Sequence, residues 1–468
     1  MIWDLKKYGD ETALIEGREV LSYAELDEIC SRLAEKAEAR SLVFILTSND
    51  IGTVAAYVSF LNNGIVPLML DHKIDPAIMS RMIDSYKPAY IWQREETSYD
   101  EESYEIIYAL RGYALLQRRQ KESLTLHDDL ALLISTSGST GSPKLIRISY
   151  SNILSNTASI IEYLKIDQKE RAICSLPLNY VYGLSVLNTH LYAGASIVLT
   201  QDNCYSRSFW ECFENNKCSS FAGIPFMYEM MDKLKFTNKR ISTLKTMTQA
   251  GGKLSPQLHE KFAAYAKAQG IAFVVMYGAS EATARMGYLP ATMAIEKKGS
   301  MGIAIPGGRF ELRDDADEII TDADVSGELL YYGDNVSLGY AEGRGDLAKG
   351  DENHGCLRTG DLAYRDSDGY YYIVGRKKRF IKMTGKRTNL SEVEMLIKDR
   401  FDIVDAACAG RDDMLEVYIT DPLLKEGIAD YIYETLKINR HLFSIYVLEQ
   451  IPKNSSGKVQ YAELKPVE

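Results

Sequence analysis

Short apolar runs alternate with helical stretches through much of the chain, and this alternation constrains the fold more than any other feature. The strand-like runs lie at 42–47, 66–70, 90–92, 172–175, 196–199, 220–222 and 272–276. Helical spacing separates the early runs, near 53–62 and 77–85. A strand that returns to its sheet through a helix runs parallel to its neighbour. The sequence therefore predicts an α/β fold with parallel βαβ sheets.

The pattern changes from Phe310 to about Val374, where short strands alternate with turn signals such as Asp-Gly-Tyr. We expect a small antiparallel barrel or sheet here, with bounds of 309–375. After it, roughly 90 residues carry their own helix and strands, enough for a small α+β domain. The predicted boundary separates a large domain, 1–377, from a C-terminal domain, 378–468.

The charge and the N-terminus exclude several classes of protein. The chain has 468 residues and a formal net charge of −11, whereas general nucleic-acid and anionic-membrane binders need positive faces. No basic segment and apolar core follow Met1, as a signal peptide would require. Apolar runs such as Leu42–Leu46 are far too short to span a membrane. We therefore expect a cytoplasmic protein with no membrane span and no nucleic-acid partner.

The cysteines predict neither disulfides nor a metal site. There are seven, scattered through the chain without a C-x-x-C pair, which is typical of reduced intracellular thiols. Cys204, Cys212 and Cys218 are close in sequence, but their spacing is wrong for zinc and no histidine lies near them.

The strongest local motif is the run Ser135–Lys144, which reads STSGSTGSPK and directly follows the apolar strand Leu130–Ile134. Its glycines permit close backbone approach, its hydroxyl and amide groups can donate to phosphate oxygens, and its lysine adds positive charge. The spacing differs from that of a Walker A loop. A flexible linker is the alternative, but linkers do not usually follow buried strands. The run predicts a phosphate-binding loop.

This loop resembles the phosphate-binding motif of the adenylate-forming (AMP-binding) superfamily, which includes acyl-CoA synthetases, nonribosomal-peptide adenylation domains and luciferases. Leu145 stands where the family usually has glycine. The chain looks most like a free-standing acyl-CoA synthetase or acyl ligase. The resemblance implies that ATP is held by Thr136, Ser137, Gly138, Ser139, Thr140, Gly141 and Lys144, with Thr140 also near Mg²⁺.

The run Tyr277–Thr283, YGASEAT, resembles a second motif of the same family and follows a strand-like run. The resemblance implies that Tyr277 stacks on adenine, with Gly278 beside it. Ser280, a serine in place of the usual threonine, would meet the α-phosphate. Glu281 would bind Mg²⁺. A solvent-exposed surface glutamate is the alternative for Glu281.

Two further motifs imply the rest of the nucleotide site. Gly251 and Gly252, within QAGGKL, resemble the turn that contacts adenine, where glycine lets the backbone lie flat against the base. Asp361, within LRTGD, resembles the ribose ligand, since one carboxylate can accept hydrogen bonds from both ribose hydroxyls. Arg376 would add a second ribose or phosphate contact.

Seven basic residues lie between 376 and 387. They could form a nuclear-localisation or nucleic-acid patch, but the overall acidity disfavours it. The run resembles the family's hinge and thiol-tunnel loop, with Lys378 at the hinge position where aspartate is usual. The resemblance implies that Lys382, Gly385 and Arg387 contact the thiol substrate, CoA.

The acyl pocket is the least determined part of the site. Tyr180, within LPLNYVYGL, falls at the family's aromatic pocket position, although core packing would explain it equally well. Gly223, Ala250 and Ala284 are the other expected pocket residues. The aspartate that holds an amino-acid substrate in peptide synthetases is not evident, which argues against an α-amino acid. The sequence does not identify the acid.

The C-terminal run Ile451–Val459 resembles the family's catalytic-lysine motif and places Lys458 at that position. The resemblance implies a catalytic site of Lys458, Glu281 and Ser280 that forms an acyl-AMP from a carboxylic acid and ATP. A mobile C-terminal domain would then present CoA. Two alternatives remain: a ligase that loads the phosphopantetheine of a carrier protein, and an inactive nucleotide-binding regulator. The intact Lys144, Glu281, Asp361 and Lys458 disfavour the regulator.

Overall fold

The computed structural model describes the chain apart from Lys121, 136–143, Lys378, 384–385, Asp402, Val404, 454–458, 465–468 and the side chains of Phe380, Lys386, Arg387 and Asp399. The described residues form two large sheets, a smaller antiparallel sheet, and a C-terminal segment with its own strands and helices.

An eight-stranded sheet occupies much of the N-terminal part. In spatial order its strands are β19 (Gly339–Ala341), β9 (Leu145–Ser149), β8 (Leu130–Ser135), β4 (Val66–Asp71), β3 (Leu42–Thr47), β5 (Tyr90–Arg94), β7 (Tyr113–Arg118) and β6 (Tyr104–Leu110). The central strands β8, β4, β3 and β5 are parallel. Antiparallel strands flank them on both sides, so the sheet is mixed, with the predicted parallel units at its centre.

A nine-stranded sheet forms the second layer. Its strands in order are β16 (Ile303–Ala304), β15 (Gly287–Tyr288), β14 (Ala272–Tyr277), β13 (Thr246–Gln249), β12 (Ser220–Gly223), β10 (Arg171–Cys174), β11 (Ser196–Leu199), β1 (Thr12–Glu16) and β2 (Glu19–Ser22). The run from β14 to β1 is parallel, and β2, β15 and β16 add antiparallel edges.

Helices cover and connect these sheets. They are α1 (Tyr23–Ala34), α2 (Ile51–Asn62), α3 (Pro76–Tyr86), α4 (Tyr150–Leu164), α5 (Val181–Ala193), α6 (Arg207–Asn215), α7 (Pro225–Lys233) and α8 (Pro256–Gln269). Two more helices, α9 (Leu390–Phe401) and α10 (Lys425–Glu434), belong to the C-terminal segment. Ser22 caps α1 in a reciprocal capping box with Glu25. One hydrophobic cluster joins the two large sheets: it contains Val43 of β3, Ile197 of β11 and Tyr57 of α2.

The β-rich segment forms an antiparallel sheet of β17 (Arg309–Arg313), β18 (Gly327–Tyr332), β20 (Cys356–Arg365) and β21 (Tyr371–Arg376). Of the two expected forms, barrel or sheet, the structure adopts the sheet. A turn at Asp366–Tyr370 joins β20 to β21, as the sequence predicted.

After β21 the chain forms a ribbon of β22 (Phe380–Met383) and β23 (Lys386–Asn389), and a sheet of β24 (Ala406–Arg411), β25 (Met414–Ile419) and β26 (Phe443–Val447). A separate hydrophobic cluster, from Ile381 to Ile445, packs α9 and α10 against this sheet. Among the described residues, no helix combines the length and apolar character needed to cross a membrane.

Candidate nucleotide and acyl site

The predicted phosphate loop joins two paired strand ends. Its residues 136–143, with Thr136, Ser137, Gly138, Ser139, Thr140 and Gly141, lie outside the described residues. Ser135 at the end of β8 pairs with Leu145 at the start of β9. Lys144 is described: its ammonium forms an ion pair with Glu342 and lies 5.9 Å from the ring centroid of Tyr340. The loop therefore follows the last residue of β8 and leads into β9, and these two strands are neighbours in the eight-stranded sheet.

Tyr340 connects the phosphate loop to the predicted metal ligand. It lies on β19, paired with Ile146 of β9, and its hydroxyl donates to Oε1 of Glu281 at 2.8 Å. Burial, followed by the charge of Glu281, raises the pKa of Tyr340, so the hydroxyl stays protonated and remains a donor. The structure thus brings Lys144 and Glu281 to the same tyrosine, one at its ring and the other at its hydroxyl. Sequence reasoning missed Tyr340, because no motif surrounds it.

Ser280 and Glu281 lie on a short 3-10 turn, Ser280–Ala282, which follows β14. The described residues contain no group of three His, Cys, Asp or Glu side chains arranged to hold a metal. A magnesium ion at Glu281 would therefore take its other oxygen ligands from nucleotide phosphates and water, as Mg²⁺ commonly does in nucleotide sites. A single hard carboxylate fits that arrangement.

The three residues assigned to adenine and ribose meet at one place. Asp361 of β20 is buried, and its carboxylate accepts a hydrogen bond from the Tyr277 hydroxyl. Arg376, opposite Asp361 on β21, places its Nε 2.9 Å from Oδ1 of the same carboxylate. The charge of Asp361 raises the pKa of Arg376. Burial, together with Asp361, raises the pKa of Tyr277 well above its usual value. Both carboxylate oxygens therefore face donors.

The predicted adenine turn borders the predicted acyl pocket. Gly251 has a φ of +87°, a conformation that L side chains rarely adopt. A Cβ atom there would lie 2.9 Å from the hydroxyl of Tyr180 and 3.0 Å from Ile224. At Gly252 a Cβ atom would lie 3.2 Å from the Pro225 ring. Glycine at Gly251 therefore allows the turn to approach the tyrosine.

Gly278 permits an even closer contact. A Cβ atom on Gly278 would lie 1.8 Å from the carbonyl oxygen of Ala284, so any larger residue would displace the backbone. The segment between them, which carries Ser280 and Glu281, is thereby folded into a tight turn. This contact links the predicted phosphate and metal residues to Ala284 in the predicted acyl pocket.

The four predicted acyl-pocket residues lie at the junction of two hydrophobic clusters. Tyr180 precedes α5 and packs against both clusters, and burial raises its pKa to about 12. Ala250 and Ala284 are buried, one in each cluster. Gly223 ends β12, and the rings of Phe221 and Tyr228 occupy the space next to it. Their pocket role stays a prediction.

The predicted hinge falls between residues with different partners. Lys378 lies outside the described residues. Before it, the Lys377 ammonium pairs with Glu328 of β18 at 2.9 Å. After it, the Arg379 guanidinium pairs with Glu394 of α9 at 3.2 Å. The side-chain partners thus change from the antiparallel sheet to the C-terminal segment across position 378.

The remaining predicted C-terminal residues are only partly described. Lys382 lies on the exposed face of β22, and its backbone N–H donates to Asp412 at 2.8 Å. Lys458, Gly385 and the side chain of Arg387 lie outside the described residues. Lys453 is described, and its ammonium lies 5.1 Å from the ring centroid of Phe226 on α7. The C-terminal segment therefore contacts the large part of the molecule close to the predicted acyl pocket.

Comparison with known proteins finds CoA ligases that match most or nearly all of the chain. A 2-succinylbenzoate–CoA ligase of Bacillus subtilis is 24% identical over 473 aligned residues, covering 97% of this chain and 95% of the relative. An indoleacetate–CoA ligase of Aromatoleum aromaticum is 28% identical over 348 residues, covering 71% of this chain and 66% of the relative.

Solved structures share the fold. An o-succinylbenzoate CoA synthetase from Bacillus subtilis, in complex with its acyl-adenylate intermediate, superposes with a TM-score of 0.82 at 22% identity, covering 99% of this chain and 98% of that one. A benzoate CoA ligase from Burkholderia xenovorans gives a TM-score of 0.77 at 18% identity, covering 98% of each chain. The model of the AMP-binding enzyme family matches residues 2–341. The chain belongs to the AMP-binding enzyme family.

Proposed function

We propose that the protein is an acid–thiol ligase that activates a carboxylic acid with ATP and transfers the acyl group to the thiol of CoA. In the first step the carboxylate attacks the α-phosphorus of ATP, giving acyl-AMP and pyrophosphate. In the second a thiol attacks the acyl carbon, giving a thioester, AMP and a proton. The relatives named above are CoA ligases for three different acids, which supports the reaction and leaves the acid open.

One observation carries this proposal: Tyr277, distant in the sequence, and Arg376, on the neighbouring strand, both contact the buried carboxylate of Asp361. A carboxylate held between two donors is positioned to accept hydrogen bonds from vicinal hydroxyls when a ribose replaces one of them. Tyr277 presents an aromatic ring at the end of a parallel strand, where α/β proteins bind ligands. The arrangement suits a nucleoside.

The residues around Glu281 suit the phosphates. Lys144 supplies positive charge at the end of the phosphate loop, and Tyr340 fixes the Glu281 carboxylate by a hydrogen bond. A bound Mg²⁺ would neutralise charge on the phosphates. Catalysis of this step depends mainly on positioning and charge stabilisation, because negative charge collects on the phosphoryl oxygens. We assign Ser280 to the α-phosphate and Lys458 to the charge between carboxylate and phosphate.

We further propose that residues 378–468 move as a domain between the two steps, with Lys378 as the hinge. The change of partners between Lys377 and Arg379 supports this boundary. The C-terminal domain would present Lys458 for adenylation and the loop of Lys382, Gly385 and Arg387 for the thiol. The large domain, 1–377, would hold the nucleotide throughout.

A screen of carboxylic acids for ATP-dependent pyrophosphate release tests the first step. Thioester analysis with CoA, and separately with a phosphopantetheinylated carrier protein, tests the second. Thioester formation with the carrier alone would favour the carrier-protein ligase. ATP binding without pyrophosphate release from any acid would favour an inactive nucleotide-binding regulator.

A further inference from the structure

A buried arginine lies beside the predicted acyl pocket without a carboxylate partner among the described residues. Arg285 is 2% exposed. Its Nη2 donates to Oγ of Ser185 at 2.9 Å, and its Nη1 donates to the Tyr163 hydroxyl at 3.2 Å and contacts the Met276 sulfur. Its guanidinium carbon lies 4.5 Å from the ring centroid of Tyr182. Each of these partners is neutral.

A second buried arginine shows how this chain satisfies such a group elsewhere. The side chain of Arg147 is fully buried, and it pairs with the carboxylate of Glu352 while donating to several backbone carbonyls. By contrast, Nε of Arg285 has no hydrogen-bond partner among the described residues. Burying a cation without a counter-charge is costly, and the neutral partners of Arg285 offset only part of that cost, so an anion beside it would be stabilising.

A cavity next to Arg285 has room for a small polar group. Its volume is about 30 Å³, and most of its wall is apolar, including Ile173, Val186 and Phe221. The carboxylate of Glu170 also lines it, accepts a hydrogen bond from the Ser219 hydroxyl and lies 4.0 Å from the Lys245 ammonium. His190 also lines it, with Nδ1 2.8 Å from the Val186 carbonyl and Nε2 without a hydrogen-bond partner in the described part of the chain. Burial lowers the pKa of His190 to about 4, so it is neutral at neutral pH and Arg285 supplies the cavity's positive charge.

The cavity lies near the predicted acyl-pocket residues along the chain. Three of its lining residues lie within two positions of a predicted pocket residue: Ala222 beside Gly223, Thr248 beside Ala250 and Arg285 beside Ala284. Tyr182 links these walls, because its hydroxyl lies 2.8 Å from Oγ1 of Thr248 and its ring faces Arg285. A substrate whose reacting carboxylate lies near Ser280 would extend from there toward Arg285.

We propose that Arg285 binds a second carboxylate at the far end of the substrate, so that this ligase activates a dicarboxylic acid. This inference rests on the proposed function, since it concerns the acid used in that reaction. The second carboxylate supplies the anion that Arg285 lacks, and Nε and Nη2 present two donors on one edge of the guanidinium. His190, protonated on Nδ1, leaves Nε2 as an acceptor for a water molecule beside that anion.

Matched pairs of acids test the proposal on the unmodified protein. Each pair joins a dicarboxylic acid to the monocarboxylic acid of the same carbon skeleton: succinate with butyrate, glutarate with valerate, adipate with hexanoate, and phthalate with benzoate. We measure kcat and KM for ATP-dependent pyrophosphate release with each acid. The expected result is a preference of about 100-fold for the dicarboxylic member in the best pair.

Variants then assign the preference to Arg285. Arg285→Gln should lower kcat/KM for the preferred dicarboxylic acid about 100-fold, through KM, and leave the matched monocarboxylic acid nearly unchanged. Arg285→Lys should retain part of the preference because it keeps the charge. Ser185→Ala, which removes one neutral partner of the guanidinium, should raise KM for the dicarboxylic acid by a smaller factor and leave folding intact.

The outcomes separate this inference from the proposed function. If the unmodified protein releases pyrophosphate equally well with both members of every pair, or better with monocarboxylic acids, the inference is wrong and the proposed function stands. Equal losses for both acids in Arg285→Gln and Arg285→Lys would make Arg285 a structural residue only. If no acid supports pyrophosphate release although ATP binds, the proposed function itself fails.

Discussion

Arg376 places its Nε 2.9 Å from Oδ1 of Asp361, directly across the pairing of β20 with β21. The Tyr277 hydroxyl donates to the other carboxylate oxygen. The same carboxylate is the proposed ribose acceptor, so a bound nucleotide has to displace one of these donors or share an oxygen with it. Exchange of one donor for another keeps the buried charge satisfied.

Asp361→Ala should weaken ATP binding. The substitution removes the acceptor for two ribose hydroxyls, and hydrogen bonds to a charged group contribute roughly 1.5–3 kcal/mol each. The net loss should be smaller, about 10- to 100-fold in Kd, because the free protein also loses the pairing with Arg376. Calorimetric titration with ATP measures it. An unchanged Kd would refute the ribose role.

Asp366→Ala is the matched control for this experiment. Asp366 lies in the turn of the same antiparallel sheet and pairs with Lys297 at 3.0 Å. Its loss removes a carboxylate ion pair away from the proposed nucleotide site, so the Kd for ATP should stay within about twofold of the unmodified value. Tyr277→Phe separates the hydroxyl from the ring: if the ring stacks on adenine, most of the affinity should remain.

Gly278→Ala should destabilise the protein by about 3 kcal/mol, the scale on which overpacking acts. The added Cβ would lie 1.8 Å from the Ala284 carbonyl oxygen, a backbone atom that cannot rotate away. Urea unfolding measures the change. Gly345→Ala is the control, because a Cβ there meets no atom within 4 Å, and it should change stability by less than about 0.5 kcal/mol. Equal effects would contradict the tight-turn assignment.

His190 should make stability depend on pH. Its pKa is 6.5 before burial and about 4 in the folded protein. Between pH 4 and pH 6.5 the unfolded chain binds a proton at His190 more strongly than the folded protein does. The contribution of neutral His190 to the free energy of unfolding is therefore complete above pH 6.5 and is lost as the pH falls toward 4. From pH 7.5 to pH 5 this loss is about 2 kcal/mol.

Urea unfolding of the unmodified protein and of His190→Gln at both pH values checks this expectation. Glutamine does not titrate, so the variant's loss of stability on acidification should be about 2 kcal/mol smaller. Because other groups titrate equally in both proteins, the difference between the two isolates His190. Parallel pH profiles would mean that His190 does not titrate as its burial indicates.

The strands of the large sheets were predictable because their apolar runs are continuous. Leu42–Thr47 and Ser196–Leu199 appear with the bounds that the sequence indicated. A strand that is buried on both faces is apolar at every position, so its run is easy to recognise in the sequence. The hairpin Tyr104–Leu110 with Tyr113–Arg118 was not predicted, because its edge strand mixes exposed and buried residues irregularly. Edge strands are specified by their pairing partner more than by their own sequence.

The candidate site was predictable only where a motif is local. Tyr277, Glu281 and Asp361 lie within recognisable motifs, and the structure places Tyr277 against Asp361. Tyr340 and Arg285 could not be inferred, because what makes them notable is contact with residues far away in the chain: Tyr340 with Lys144, and Arg285 with Tyr163. Arg285 looks like any other arginine until its burial is known.

Lys458→Ala should abolish most adenylation and spare thioester formation from preformed acyl-AMP. A positioned cation is needed where the carboxylate and phosphate meet, and loss of one such group lowers a rate by about 10²–10³-fold. Pyrophosphate release measures the first half-reaction, and thioester formation from synthetic acyl-AMP and CoA measures the second. Lys425→Ala, an exposed lysine at the start of α10, is the control and should leave both half-reactions unchanged. Equal loss of both half-reactions would contradict the domain movement.

The hinge prediction concerns Lys378, where the chain differs from its family. Proline fixes φ near −65° and removes a donor, so Lys378→Pro should lock one domain orientation. If the locked state is the adenylating one, acyl-AMP formation persists while thioester formation falls by at least about tenfold. Lys378→Ala keeps the backbone free and should preserve both half-reactions.

The residues on either side of the hinge supply controls of different kinds. We expect Lys377→Ala to be tolerated, since it removes one ion pair with Glu328 whose other partner, Arg358, remains. Arg379→Ala should instead destabilise the C-terminal segment, because Arg379 pairs with the nearly buried Glu394 and covers the ring of Tyr461 at 3.8 Å. If position 378 only binds phosphate, Lys378→Ala and Lys378→Pro should be equally harmful and added salt should mimic both. Separate rates for the two half-reactions in these variants distinguish a mechanical role from an electrostatic one.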